Sequence, residues 1–138
     1  MPKVARVTIS LEKGLLAQFE ARLAASGYPT RSEAVKSLMR SALVQEEWQT
    51  GRDVAGAIVM VYDHHKGGVV KKLMDAQHDF GELIVCTQHV HLDHHHCMEV
   101  VVVRGAAGEI RALLAKLKAV KGIKHSSLIT ATTGKSVR

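Results

Sequence analysis

The pattern of apolar residues divides in two around a polar run, Gln45 to Asp53 (QEEWQTGRD). Downstream of it, short elements of alternating type follow one another at regular spacing. Ala55 to Tyr62 predicts a strand and Gly68 to Gln77 a helix. Leu83 to His91 and Cys97 to Arg104 predict a hairpin around Leu92 to His96. Ala107 to Val120 has Ile110, Leu113, Leu114 and Leu117 at helical spacing, and Ile123 to Thr130 is a last strand. The order βαββαβ predicts a ferredoxin-like arrangement, a four-stranded antiparallel sheet with two helices on one face.

Upstream the pattern is different. Val4 to Ser10 alternates, with Arg6, Thr8 and Ser10 on one face and Val7, Ile9 and Leu11 on the other. Glu12 to Ser26 predicts a helix stopped by Gly27, and Tyr28 with Pro29 makes a turn. Thr30 and Glu33 fit a capping box that opens a second helix, with an apolar stripe of Val35, Leu38, Met39, Ala42 and Leu43. A strand, helix, turn and helix of this size cannot bury their own apolar faces, and a lone strand leaves its backbone unpaired. Two chains pairing strand to strand remove both problems, so an obligate dimer is expected. The whole is an α+β protein, with residues 1–47 a dimerisation domain, 48–53 a linker, 54–133 the ferredoxin-like domain and 134–138 a frayed tail.

Two cysteines in 138 residues, with 46% hydrophobic composition, do not call for a disulfide framework. No stretch approaches a membrane span and no signal-peptide core is present, so a cytoplasmic protein with reduced thiols is expected. Cys86 then reads as a core residue. The net charge of +6 suits a polyanionic partner, while 4% aromatic residues argue against a stacking surface for single-stranded nucleic acid.

Of nine histidines, eight fall between His64 and His96. His89 and His91 are two apart on a strand, so both imidazoles leave one face. Cys97 opens the next strand and can lie beside them across the hairpin. Two nitrogens and a thiolate converging from rigid strands begin a transition-metal site that lacks one ligand, for which His78 at the end of the preceding helix is the nearest candidate. Chance clustering of exposed histidines is the plain alternative, and for His94, His95 and His96 in the turn a solvated loop is the better reading. His125 is isolated, and His64 suits a supporting place beside the ligands. Spacing alone does not separate zinc from nickel or copper.

A two-stranded ribbon from two chains fits the DNA major groove, where each strand offers Arg6, Thr8 and Ser10 to base edges. Residues 1–44 carry seven basic and three acidic side chains. Thr30, Arg31 and Ser32 sit where a helix N-terminus can meet phosphate. A dimerisation arm whose outer face is merely polar is the alternative.

With both halves described, the sequence resembles the nickel-responsive transcriptional regulators, the NikR family, over Arg6 to about Thr130. RVTISL (Arg6 to Leu11) and RSEAVKSLMR (Arg31 to Arg40) resemble the ribbon–helix–helix DNA-binding fold. The more specific part is Gln77–His78 followed by HVHLDHHHC, His89 to Cys97, and then MEVVVVRG. The resemblance implies a ribbon–helix–helix domain joined to a ferredoxin-like, ACT-like domain in a homotetramer, a dimer of dimers. It implies one square-planar Ni(II) per subunit, held by His89, His91 and Cys97 with His78 of the partner subunit. It further implies binding of a palindromic double-stranded operator and repression of nickel-uptake genes, with Arg6, Thr8 and Ser10 reading bases and Lys66 touching backbone. Glu99 matches an acid that supports a ligand histidine, and Gln77 and His64 would stand in the same outer layer. Ser10 replaces the more usual threonine, and His94 to His96 enrich the turn. Some members carry a second cation site with two acids; Glu33 matches one and Ser37 stands in place of the other.

The competing expectation is a metal-dependent enzyme or storage protein. A hydrolytic site needs an open metal position and a general base in a cleft, for which Asp93 or Glu99 would be nominated.

Overall fold

The computed structural model describes residues 3–138. The chain divides into two compact units, the first reaching Met39 and the second running from Arg40 to Arg138.

The first unit holds helix α1 (Lys13–Ser26) and the start of α2 (Arg31–Thr50). Gly27, at φ 75°, ends α1 in a left-handed conformation that a side chain disfavours. Thr30 opens α2: its Oγ1 accepts a hydrogen bond from the Glu33 amide at 3.1 Å, one arm of the expected capping box. No residue of α1 is buried. Lys3 to Glu12 has no regular structure in the single chain, where the alternation predicts a strand over Val4–Ser10. A strand exists only by pairing, and among the described residues no segment of this chain pairs with it. Its apolar side chains stand in solvent, Val7 at 80% and Ile9 at 64% exposure.

In the second unit, β1 (Val54–Asp63), α3 (Val69–Asp79), β2 (Ile84–His91), β3 (His96–Gly105), α4 (Ala107–Lys118) and β4 (Ile123–Thr130) realise the βαββαβ order. The sheet order is β2-β3-β1-β4, antiparallel at every pairing, which is the ferredoxin-like topology. Alternation along β1 buries Ile58, Met60 and Tyr62 on one face. Val101 and Val103 of β3 join them, and Leu73 of α3 with Ile110 and Leu113 of α4 close the core. The opposite face of β1 and β3 carries Val59, Val61, Val100 and Val102, only half-buried.

The polar run expected as a linker begins inside α2, which continues to Thr50. Trp48 is the reason: it is 1% exposed within the core, and its Nε1 donates to the Ala131 carbonyl at 2.8 Å. One aromatic side chain holds the last turn down while its charged neighbours face water, so polarity along the run marks a helix surface. Only Gly51 to Asp53 separates α2 from β1.

Candidate metal centre

The register of β2 on β3 sets the site. His91 lies opposite Cys97 and His89 opposite Glu99, so all four occupy the face of the sheet that the helices cover. Tyr62, paired with Cys97 from the other side of β3, shares that face. The hairpin turn is pinned by Asp93, whose Oδ1 accepts from the amides of His95 at 2.8 Å and His96 at 2.7 Å. The His96 imidazole on the same carboxylate, at 2.9 Å, is the main reason Asp93 is held far below the usual carboxylate range.

Cys97 is fully buried, and its Sγ stands 3.2 Å from His64 Nδ1 and 3.4 Å from His91 Nδ1. These three donor atoms lie within 4.8 Å of one another. Burial pushes the Cys97 thiol above its ordinary range, with Glu99, Asp63 and Asp93 adding negative charge nearby. Desolvation is also the first cause of the lowered His64 value, helped by His65 and His91. A pocket that disfavours both a bare thiolate and an imidazolium, and that carboxylates surround, favours a cation shared among its donors. Imidazole with thiolate suits Ni(II), Cu(II) or Zn(II), and the residues present therefore fit nickel.

His89 is placed differently. Its Nδ1 is 3.3 Å from the Tyr62 hydroxyl, and its ring centroid is 5.1 Å from that of His91. The Tyr62 hydroxyl donates to Glu99 Oε2 at 2.9 Å, and Gln77 Nε2 donates to Glu99 Oε1 at 2.8 Å. A chain of polar groups thus runs from α3 through Glu99 to the His89 ring. Burial, then the Glu99 hydrogen bond, drive the Tyr62 phenol well above its ordinary value, so it remains a donor. Tyr62 was invisible as a site residue in the sequence. Its only signal is parity, since it follows Ile58 and Met60 on the inward face of β1. Neither His89 nor His78, which is exposed near the end of α3, belongs to the cluster of His64, His91 and Cys97.

The residues expected to face DNA are all exposed: Arg6, Thr8 and Ser10 before α1, Arg31 at the start of α2, and Lys66 in the turn before α3. Arg31 is ion-paired with Glu20. Ser37 Oγ lies 2.7 Å from the Tyr28 hydroxyl, and Glu33 Oε1 accepts from Lys36 at 2.7 Å. A concavity of about 440 Å³ between α3 and the end of α4, lined in part by Lys72, Asp79 and Lys116, contains none of the clustered histidine and cysteine donors. Glu99 and Asp93, nominated above as bases, are occupied in orienting their neighbours.

Comparison with known proteins extends this reading. Residues 55–131 match the family described as the NikR C terminal nickel binding domain. A nickel-responsive regulator of Chlorobium limicola is 49% identical, covering 97% of this chain and 100% of its own. One from Thermococcus onnurineus is 44% identical over 98% and 99% respectively. Among solved structures, an uncharacterized protein from Thermotoga maritima covers 58% of this chain and 99% of its own at TM-score 0.53 and 15% identity, a likeness of fold alone. With its βαββαβ sheet, its imidazole–thiolate cluster and its near full-length relatives, this chain belongs to the nickel-responsive regulators, a family of transcriptional regulators and not of enzymes, and residues 55–131 are its nickel-binding domain.

Proposed function

We propose that this protein is a sequence-specific DNA-binding regulator that represses nickel-uptake genes when Ni(II) is bound. It works in the cytoplasm as a homotetramer, a dimer of dimers, with one Ni(II) per subunit on His89, His91 and Cys97 and on His78 of the partner subunit. The observation that carries the metal half is the cross-strand pair of His91 and buried Cys97, 3.4 Å apart with His89 two residues away on the same face. His64 stands as close to the sulfur as His91 does, and it acts by holding that sulfur in place. Exposed His78 supports a ligand delivered to another chain.

The DNA half rests on residues 3–12, in which Arg6, Thr8 and Ser10 alternate along the sequence with the exposed Val7, Ile9 and Leu11. Pairing with a second copy satisfies the backbone and covers the apolar side, giving a ribbon–helix–helix dimer over residues 1–47. The valine-rich open face of the sheet supports assembly of the dimers into the tetramer. No helix among the described residues is long and apolar enough to cross a membrane.

Nickel, when bound, supplies a divalent charge shared by donors of two subunits. The chain's own residues convert this into a signal. Drawing His78 toward a neighbouring triad fixes α3, and with it the turn Asp63–Gly68 that presents Lys66 to phosphate. A coupling of about 1–3 kcal/mol in favour of the DNA-competent arrangement is enough for a switch.

The test is operator binding with and without Ni(II). Arg6→Ala is expected to lower operator affinity by about 1–3 kcal/mol per lost bidentate contact while sparing random DNA. Lys66→Ala is expected to weaken both alike and to flatten the salt dependence. DNA binding that ignores nickel would refute the switch, and equal losses on both DNAs for Arg6→Ala would remove it as a base reader.

A further inference from the structure

His64 and His65 leave the end of β1 in different directions. His64 turns to Cys97, while His65 turns to the hairpin, where His95 Nδ1 is 3.4 Å from His65 Nδ1. Asp63 Oδ1 is 3.5 Å from the same nitrogen, and the three donor atoms of Asp63, His65 and His95 lie within 4.8 Å of one another. We propose that Asp63, His65 and His95 form a second cation site, for a borderline divalent transition metal, distinct from the site built around Cys97.

Spacing is the first argument. Donors at about 2.0–2.1 Å from one ion stand about 2.9–3.4 Å apart for right-angle to tetrahedral geometry. The 3.4 Å between His65 and His95 stands at the upper end of that span and the 3.5 Å between His65 and Asp63 just beyond it, so small side-chain rotations suffice to admit an ion. Preorganisation is the second. Asp63 is the last residue of β1 and pairs with His96 of β3. Its carboxylate accepts the His65 amide at 2.9 Å, and the His64 amide donates to the His95 carbonyl at 3.2 Å. Both sides of the cluster are therefore tied to one another through the backbone before any ion arrives. The Asp63 side chain is 14% exposed and that of His65 49%, so one ligand is anchored inward and another meets solvent.

Chemistry is the third argument. One carboxylate and two imidazoles, with no thiolate, suit Zn(II), Ni(II) or Cu(II) and leave positions for water. Such a site binds more weakly and exchanges faster than one containing a buried thiolate. The His64 and His65 rings, with centroids 3.9 Å apart, set the two sites side by side. An ion held at the surface cluster is thus one residue from His64, whose ring stands against the Cys97 sulfur.

The experiment is a Ni(II) titration of the full-length protein by equilibrium dialysis, with the thiolate-to-nickel absorption band followed in parallel. The expected result is one tight equivalent that develops the band and a second, weaker equivalent per chain that does not. His65→Ala and His95→Ala are each expected to weaken the second equivalent by more than about 100-fold, beyond the roughly 10–100-fold loss that a supporting contact alone brings, with the band unchanged. Absence of a second equivalent in the wild type would overturn the proposal. So would its persistence at full affinity in both variants, or loss of the band in either, which would merge the cluster with the inner site. Failure of nickel to control DNA binding would leave this titration unaffected, so the two readings fail separately.

Discussion

Glu99 enters the core with 7% of its surface exposed, and both its oxygens are taken, one by Tyr62 and one by Gln77. A buried carboxylate with two donors aimed at it is costly to disturb, and it fixes the ring of His89 through Tyr62. Cys97 is the buried one of the two free cysteines, whereas Cys86, expected in the core, is exposed, so a thiolate-to-nickel band from the proposed site is assigned to the Cys97 sulfur. Cys97→Ser is expected to abolish that band and the tight equivalent, whereas His94→Ala is expected to leave both intact. Retention of the band in Cys97→Ser, read by absorption during nickel titration, would displace the cysteine from the ligand set. That His89, His91 and Cys97 share one face of the sheet was legible in the sequence, because a period of two and a short hairpin turn dictate it. The contacts of His64 with Cys97 and of His65 with His95 were not, since each spans about thirty residues and depends on how β1 meets the far end of β3.

At the scale of elements, the sequence located every strand and helix of the second unit to within a few residues, because each alternates cleanly and ends at a turn residue. It failed where one residue decided the outcome. Trp48 converts a run of polar residues into the last turn of α2, and Gly56 makes room for it. A Cβ on Gly56 would meet the Ile129 carbonyl oxygen at 2.6 Å and the Trp48 ring at 3.0 Å. Gly56→Ala is accordingly expected to cost about 1–3 kcal/mol in urea unfolding, as an overpacked core does. Trp48→Ala is expected to cost about 3–5 kcal/mol, and Trp48→Phe much less because it forfeits mainly the bond to Ala131. Neutral outcomes for Gly56→Ala and Trp48→Ala would mean that the end of α2 does not dock there. A second element-level test concerns the open end of the β1–β3 pair, where Arg104 Nε donates to Asp53 Oδ1 at 2.9 Å. That hydrogen bond, with a weaker one from Lys135, lowers the Asp53 carboxyl to about 2. A depressed carboxylate stabilises the fold above its ordinary value of 3.8 and loses that contribution as pH falls toward 2. The stability difference between wild type and Asp53→Asn is expected to shrink over that window and to stay constant above pH 5; a difference that is flat with pH would refute the linkage.

For the whole molecule, three features point outward: the unpaired segment before α1, the half-buried valines on the open face of the sheet, and His78 exposed on α3. Each makes sense if the functional unit contains several chains, and the claim that His78 is supplied to a partner subunit is the one that mixing can test. The variants His78→Ala and Cys97→Ser are each expected to lack tight binding as homo-oligomers. When their subunits exchange, one site of each mixed pair joins the intact triad of the first variant to the intact His78 of the second, and the other site collects both defects. Random mixing of reciprocal two-fold pairs restores about a quarter of all sites. Recovery is expected to follow the time course of subunit exchange and to vanish when each homo-oligomer is crosslinked beforehand. A histidine acting within its own chain predicts no recovery at any ratio. A flat titration with exchange confirmed by mass labelling would therefore refute the bridge, and with it the route by which nickel fixes α3 and Lys66.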